Sequence, residues 1–345
     1  MDLTDGEGKR MYCTDLEGPV TKNDNAAEMC AVVVPEGAEF FRRVSLYDDY
    51  LAEVVNMPGY RAGDTLRLIL PFMMAYGLTQ ERMAAFSAEG ILVVPGAGEV
   101  LRSITDRGPA YIISTSYCQY VVAVCFAIGF PKSNIFCTRV NLEDVAIPED
   151  EVLEVRKLAT RILARPPIEL PPFASGLEDL SRDDQVTVGD LDEVFWDILP
   201  EMSVYGIVED VSTVGGPEKA ASVRRAARHE GVDMDQVIYV GDSITDVDAF
   251  RTVRDEGGLA VSFNGNRWAV EEADLAIISP RADPMGPLAH AFLSGGRSAV
   301  DGGDWAAGYS DATAAWLKEY DIEEIVEASE RMRKAVRGEA IGRLG

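Results

Sequence analysis

The segment Val237-Ile238-Tyr239-Val240-Gly241-Asp242-Ser243-Ile244-Thr245-Asp246 constrains this chain more than any other. A buried apolar strand runs into a glycine and then into two aspartates four residues apart. A hydrophobic strand rarely ends this way by accident. Carboxylates at a strand end are hard oxygen donors. Mg2+ needs only one or two of them, because phosphate and water complete its shell. Strand ends are also where an open parallel sheet places its ligand crevice.

The rest of the chain supplies the sheet. Residues 11–16 read as a short buried strand ending near Asp15, where Glu17-Gly18-Pro19 breaks it. Residues 110–114, 134–140, 236–240, 258–263 and 275–279 read as further strands, with helices over 95–108, 117–129 and 218–229. This alternation predicts an α/β fold, a doubly wound parallel sheet with helices on both faces. Two stretches stand outside it. Residues 25–90 read as mostly helical, with Thr79 capping a helix whose apolar face carries Met83 and Phe86. Residues 142–204 hold a charged helix, a proline-rich linker (165–173) and an acidic helix ending near Leu199. They read as an accessory insert or, equally, a partner-docking element. From about Ala306 the chain reads as an amphipathic helical tail, a cover for the sheet or an oligomer surface.

Composition narrows the chemistry. With 58 acidic and 32 basic residues the net charge is −26. No excess of Lys and Arg is available for nucleic acid phosphates. A site for an anionic substrate must therefore supply its own local positive charge, and with seven lysines in the chain a well-placed one is informative. Five cysteines, an odd number with no CxxC pair, predict no disulfide scaffold. Cys118 and Cys125 lie in an apolar helical stretch and read as core residues. The first ten residues are polar and lack the apolar core of a signal peptide. The longest apolar stretches, near 66–78 and 120–130, are too short to span a bilayer. The expectation is a cytoplasmic protein without membrane insertion.

Three more segments fall at strand ends or helix starts. In Asp15-Leu16-Glu17-Gly18, a strand-end carboxylate can attack phosphorus. Glu17, two residues on, points the same way and can move the leaving group's proton. Gly18 lets the backbone turn away. In Ile113-Ser114-Thr115-Ser116-Tyr117, a hydroxyl at a strand end before a helix N-terminus can bind phosphate oxygens, although a plain helix cap reads equally well. In Gly215-Gly216-Pro217-Glu218-Lys219, Pro217 and Glu218 suit a helix start, placing Lys219 in its first turn. A lysine there can neutralise charge between a phosphoryl group and crowded carboxylates; a solvated surface lysine is the plainer reading. The two histidines, His229 and His290, sit away from every motif.

Taken in order, Asp15, Ser114, Lys219 and Asp242 resemble the four motifs of the haloacid dehalogenase (HAD) superfamily. The likeness is to its phosphoserine phosphatase-like members, over roughly residues 11–279. The DLEGP start and long middle insert also resemble an archaeal group labelled as an energy-converting hydrogenase subunit. The resemblance implies a HAD-like α/β core from residues 1–21 and 91–345, with the 142–204 insert and the tail, and a helical cap over 22–90. It implies Asp15 as nucleophile and Mg2+ ligand, and Glu17 as acid/base with its backbone carbonyl on the metal. It implies Ser114 and the Thr115 N–H on phosphate, Lys219 bridging Asp15 and phosphate, Asp242 on Mg2+, and Asp246 in support. Asp24 lies where phosphoserine phosphatases carry a substrate-reading carboxylate, though a solvent-facing aspartate is the plainer reading. Three positions depart from the family pattern: Glu17 replaces the usual Asp, Pro19 stands where Thr or Val is common, and Thr245 where Asn is common. The function implied is Mg2+-dependent hydrolysis of a small phosphorylated metabolite. Transfer to an alcohol acceptor, or an accessory role in a membrane-associated hydrogenase complex, are the alternatives. A homo-oligomer or a protein-complex partner fits the tail and the insert.

Overall fold

The apolar runs assemble into one seven-stranded sheet in a computed structural model that describes residues 8–171, 174–305, 308–339 and 341–343. The strands are β1 (Met11–Thr14), β2 (Ala110–Tyr117), β3 (Ile135–Thr138), β4 (Val237–Gly241), β5 (Leu259–Phe263), β6 (Leu275–Ile278) and β7 (Thr313–Trp316). Their spatial order is β3-β2-β1-β4-β5-β6-β7. Every pairing is parallel except β6 with β7. The α/β architecture expected from the alternation is therefore present.

Side chains along the strands alternate between two cores, as the strand period of two requires. Tyr12, Ile112, Ile238, Val240 and Val261 face a cluster with the helices Ala97–Thr105, Cys118–Ile128 and Met285–Asp301. Met11, Cys13, Tyr111, Ile113, Val237 and Tyr239 face the opposite cluster with the helices Pro217–Glu230 and Val247–Asp255. β1 lies between β2 and β4, with Thr14 level with both Ile112 and Val240. The chain leaves the sheet in different directions on either side of β1, which opens a crevice at the strands' carboxyl ends.

A third core lies above that crevice. Phe40, Tyr47 and Phe72 from residues 25–88 pack with Leu158, Ile162, Leu191 and Phe195 from the middle of the chain. The Tyr47 and Phe195 rings stack at 5.7 Å, and Phe72 meets Phe195 edge-on at 6.0 Å. The Trp196 indole N–H donates to the Tyr47 hydroxyl at 2.8 Å. The helices of 25–88 and those of 142–211 thus form one helical body from two chain segments.

Two local expectations are corrected. The tail does not begin as a helix: Thr313–Trp316 is an edge strand, with Ala315 opposite Ala276, and the helix follows at Ile322–Arg337. β7 pairs antiparallel with β6 along Thr313–Trp316, which closes that edge of the sheet. Cys118 is a half-buried residue bonded to Cys137. Tyr117 pairs with Thr138, so the residues flanking that pair become neighbours across β2 and β3, a proximity that linear spacing does not reveal. Cys125 is a core residue, as expected. The polar residues 1–7, residues 172–173 of the proline-rich linker and Ala306 at the start of the tail lie outside the described residues. No described helix is long and apolar enough to cross a membrane.

Phe195→Ala should destabilise the protein by about 3–5 kcal/mol, the usual cost of deleting a buried aromatic ring, measured by urea denaturation.

Candidate active site

Asp15 follows β1, and its backbone N–H donates to the Val240 carbonyl at 2.8 Å. This bond places Asp15 beside the end of β4, where Asp242 follows. Gly18 makes the turn away with φ of 103°, and a Cβ there would run into the Asp242 carboxylate. Glycine is required twice over, by the backbone angle and by the space.

Lys219 sits in the first turn of the Pro217–Glu230 helix and is fully buried. Its Nζ donates to Asp15 Oδ2 and to Asp246 Oδ1, both at 2.7 Å. Burial alone would lower its pKa, but the two carboxylates outweigh burial and hold the ammonium charged. Asp246 accepts further bonds from the Tyr239 hydroxyl at 2.6 Å, the Asp242 N–H at 2.9 Å and the Ser243 N–H at 3.1 Å. With both oxygens so engaged, Asp246 holds the loop and the lysine in place.

Among the described residues, oxygens of Asp15, Asp242 and Asp246 lie within 4.8 Å of one another. This donor set of hard oxygens at strand ends fits Mg2+. Because Asp246 is already saturated, Asp15 and Asp242 are the two carboxylates that would hold the ion. Burial pushes the Asp15 carboxyl up to about 7, with Lys219 pulling it back and Asp246 and Asp242 adding to it.

Glu17 accepts the Asn25 N–H at 2.8 Å. Burial, reinforced by Asp24, raises its pKa well above the usual carboxylate range. A carboxyl in that condition can carry a proton at neutral pH. Asp24 caps the helix Asn25–Val33 by accepting the Ala27 N–H at 3.0 Å. It lines the cavity, so the solvent-facing reading is corrected: capping turns its side chain inward.

Ser114 departs from the expected strand-end position. β2 continues to Tyr117 and the helix starts at Cys118, so Ser114 is not a cap. The β2–β3 pairing slips between Ile113 and Tyr117. Ser114 lines the cavity with Thr115 and Ser116, and its hydroxyl accepts the Ser116 N–H at 3.2 Å. The Thr115 hydroxyl donates to the Val214 carbonyl at 3.0 Å, which ties β2 to the approach to Lys219.

The cavity measures about 90 Å³, room for several waters when one needs roughly 10–15 Å³. Phe41, Ser45, Asp49 and Thr65 of the helical body form its roof.

Two site residues were not foreseen. Arg333 and Arg337, from the helix Ile322–Arg337, reach the Asp242 carboxylate. A faint signal exists in the sequence. Ile325, Ser329, Arg333 and Arg337 recur every fourth residue, one helix face passing from apolar to small to basic.

No protein-family model and no curated protein matches the chain. Among solved structures, gene product AF1437 from Archaeoglobus fulgidus matches at 33% identity and a TM-score of 0.85, covering 98% of this chain and 99% of that one. The chain belongs to the AF1437 family. A substrate-bound phosphoserine phosphatase matches at 13% identity and a TM-score of 0.49, over 81% of this chain and 98% of that one. A phospho-aspartyl intermediate analogue of phosphoserine phosphatase matches at 14% and 0.46, over 78% and 93%. None of these three is described as a hydrogenase subunit.

For this member of the AF1437 family, Lys219→Met should cost about 3–5 kcal/mol, because Asp15 and Asp246 would be left as buried charges without their partner. Urea denaturation at neutral pH measures it. Gly18→Ala should displace Asp242 and lower divalent-cation affinity, read by Mn2+ titration.

Proposed function

We propose that the protein is a Mg2+-dependent phosphomonoesterase that acts on a small phosphorylated metabolite through an aspartyl-phosphate at Asp15. The observation that carries this reading is Lys219 buried between Asp15 and Asp246, with Asp242 beside them at the carboxyl ends of neighbouring strands. The cavity of about 90 Å³ beside Asp15 agrees with a phosphoryl group carried on a small molecule.

When bound, Mg2+ would supply positive charge to a site in which an anionic nucleophile meets an anionic substrate. The chain's own residues do the rest. Ser114 and the Thr115 backbone N–H orient the phosphoryl oxygens, and Lys219 offsets the charge that builds as Asp15 approaches phosphorus. A bond forms between Asp15 and phosphorus while the phosphorus–ester oxygen bond breaks, and Glu17 gives its proton to the departing oxygen. Glu17, now ionised, takes a proton from water. That water attacks the same phosphorus, and the Asp15–phosphorus bond breaks to release inorganic phosphate. The raised pKa of Glu17 suits the first half, since the group must begin protonated. Asp24 faces the same cavity and is the residue we assign to reading the substrate.

Asp15→Asn should abolish release of phosphate from an aryl phosphate in the presence of Mg2+, with the fold retained by circular dichroism. Activity near the native level in that variant would remove the assignment. Adding small alcohols to the native assay separates hydrolysis from transfer, because transfer yields a phosphorylated alcohol.

A further inference from the structure

The helix Ile322–Arg337 is docked firmly at one end. Ile325 and Val326 pack with Ala276, Ile278 and Ala315 at the β6–β7 edge. The Ser329 hydroxyl donates to the Gly265 carbonyl at 2.7 Å. This docking aims the last turns of the helix across the carboxyl end of the sheet, where Arg333 and Arg337 are nearly fully buried.

Both guanidinium groups converge on one atom. Arg333 Nη1 donates to Asp242 Oδ2, and also to the Asp242 carbonyl at 2.9 Å. Arg337 Nη1 donates to the same Oδ2 at 3.1 Å. Arg337 further donates from Nε to the Lys22 carbonyl at 3.2 Å and from Nη2 to the Asn23 carbonyl at 2.9 Å. The tail helix is thereby fastened to Asp242 and to the segment that leads from β1 into the helical body.

These contacts meet the cation reading at a single carboxylate. A divalent ion between Asp15 and Asp242 would sit a few ångström from two further positive charges in a buried, weakly screened site. Like charges at that range repel strongly, so the ion and the arginines cannot both hold Asp242 at full strength. Arg337 has somewhere to go. Asp24 is close enough to Arg337 to act on its charge, and it lines the cavity.

We propose that Arg333 and Arg337 are positioning residues that compete with the divalent cation for Asp242, so that cation loading loosens the tail helix. This rests on the reading of Asp15 and Asp242 as the cation-holding pair. In the cation-free state the arginines neutralise Asp242 and strap the tail over the site. In the loaded state Arg337 turns to Asp24, which carries the signal to the edge of the substrate cavity.

Two measurements on the full chain test this. The first is amide hydrogen exchange over residues 322–337 with and without saturating Mg2+, and it needs no variant. Exchange there should become several-fold faster with Mg2+, whereas a merely structural pair would show unchanged or slower exchange. The second is Mn2+ binding by the free-ion electron paramagnetic resonance signal, for the native protein, Arg333→Gln, Arg337→Gln and Asp242→Asn. Either arginine variant should bind Mn2+ at least about tenfold more tightly, the scale expected on removing a like charge near the ion. Weak but saturable Mn2+ binding by the native protein, tightened at least about tenfold in Arg333→Gln, is the strongest supporting result. Equal affinity in native and arginine variants, with exchange over 322–337 unmoved by Mg2+, overturns the competition while leaving the Asp15–Asp242 pair intact. Absence of Mn2+ binding in native and arginine variants alike overturns both, and native-like binding by Asp242→Asn overturns the pair itself.

Discussion

A single ammonium group organises this molecule. Lys219 is buried between Asp15 and Asp246, and each of those carboxylates belongs to a different strand end. Neither could be buried without it, since an unpaired charge in the interior is far costlier than a paired one. The lysine in turn depends on the helix Pro217–Glu230, whose proline start places it in the first turn. Asp246 passes the constraint on by holding the backbone N–H groups of Asp242 and Ser243. The loop after β4 is therefore positioned by charge as much as by chain geometry.

How much of this could be read from sequence follows from how local each signal is. The apolar runs of residues 237–240 and 110–114 are short and bounded by glycine or polar residues, and they were legible as strands, though the polar continuation of β2 to Tyr117 was not. So was the grouping of Asp15, Lys219, Asp242 and Asp246, because a parallel sheet brings strand ends to one edge whatever the loop lengths. The joint helical body was not legible. Its core unites Phe40 and Phe72 with Phe195, and no periodicity reports contact across more than a hundred residues. β7 was hidden because Thr313–Trp316 is short and an edge strand needs only one partner. Arg333 and Arg337 escaped because they lie near a helix C-terminus, where arginine is favoured anyway. The disulfide escaped because it depends on β2 lying beside β3.

The charge distribution joins the two scales. The protein carries a net charge of −26, yet its buried centre gathers Lys219, Arg333 and Arg337 around Asp15, Asp242 and Asp246. The cavity wall adds Glu17, Asp24, Asp48 and Asp49, so the cations are placed at the centre of a site that is acidic throughout. An anion approaching from outside meets repulsion at long range, softened by salt, and placed cations only at the centre.

The helical body's origin in two chain segments bears on how it can move. It is joined to the sheet by four crossings of the chain, two flanking 25–88 and two flanking 142–211. The first two are stitched to each other, with the Lys22 N–H on the Leu92 carbonyl at 2.8 Å and the Val94 N–H on the Val20 carbonyl at 2.9 Å. The second two meet where the Val214 N–H reaches the Thr138 hydroxyl at 3.0 Å. A body hung from one pair of strings can swing like a door; one hung from two separated pairs can only rock about the line between them. Any opening of the roof is then restricted to a shallow tilt, limited by how far two stitched ribbons can flex together.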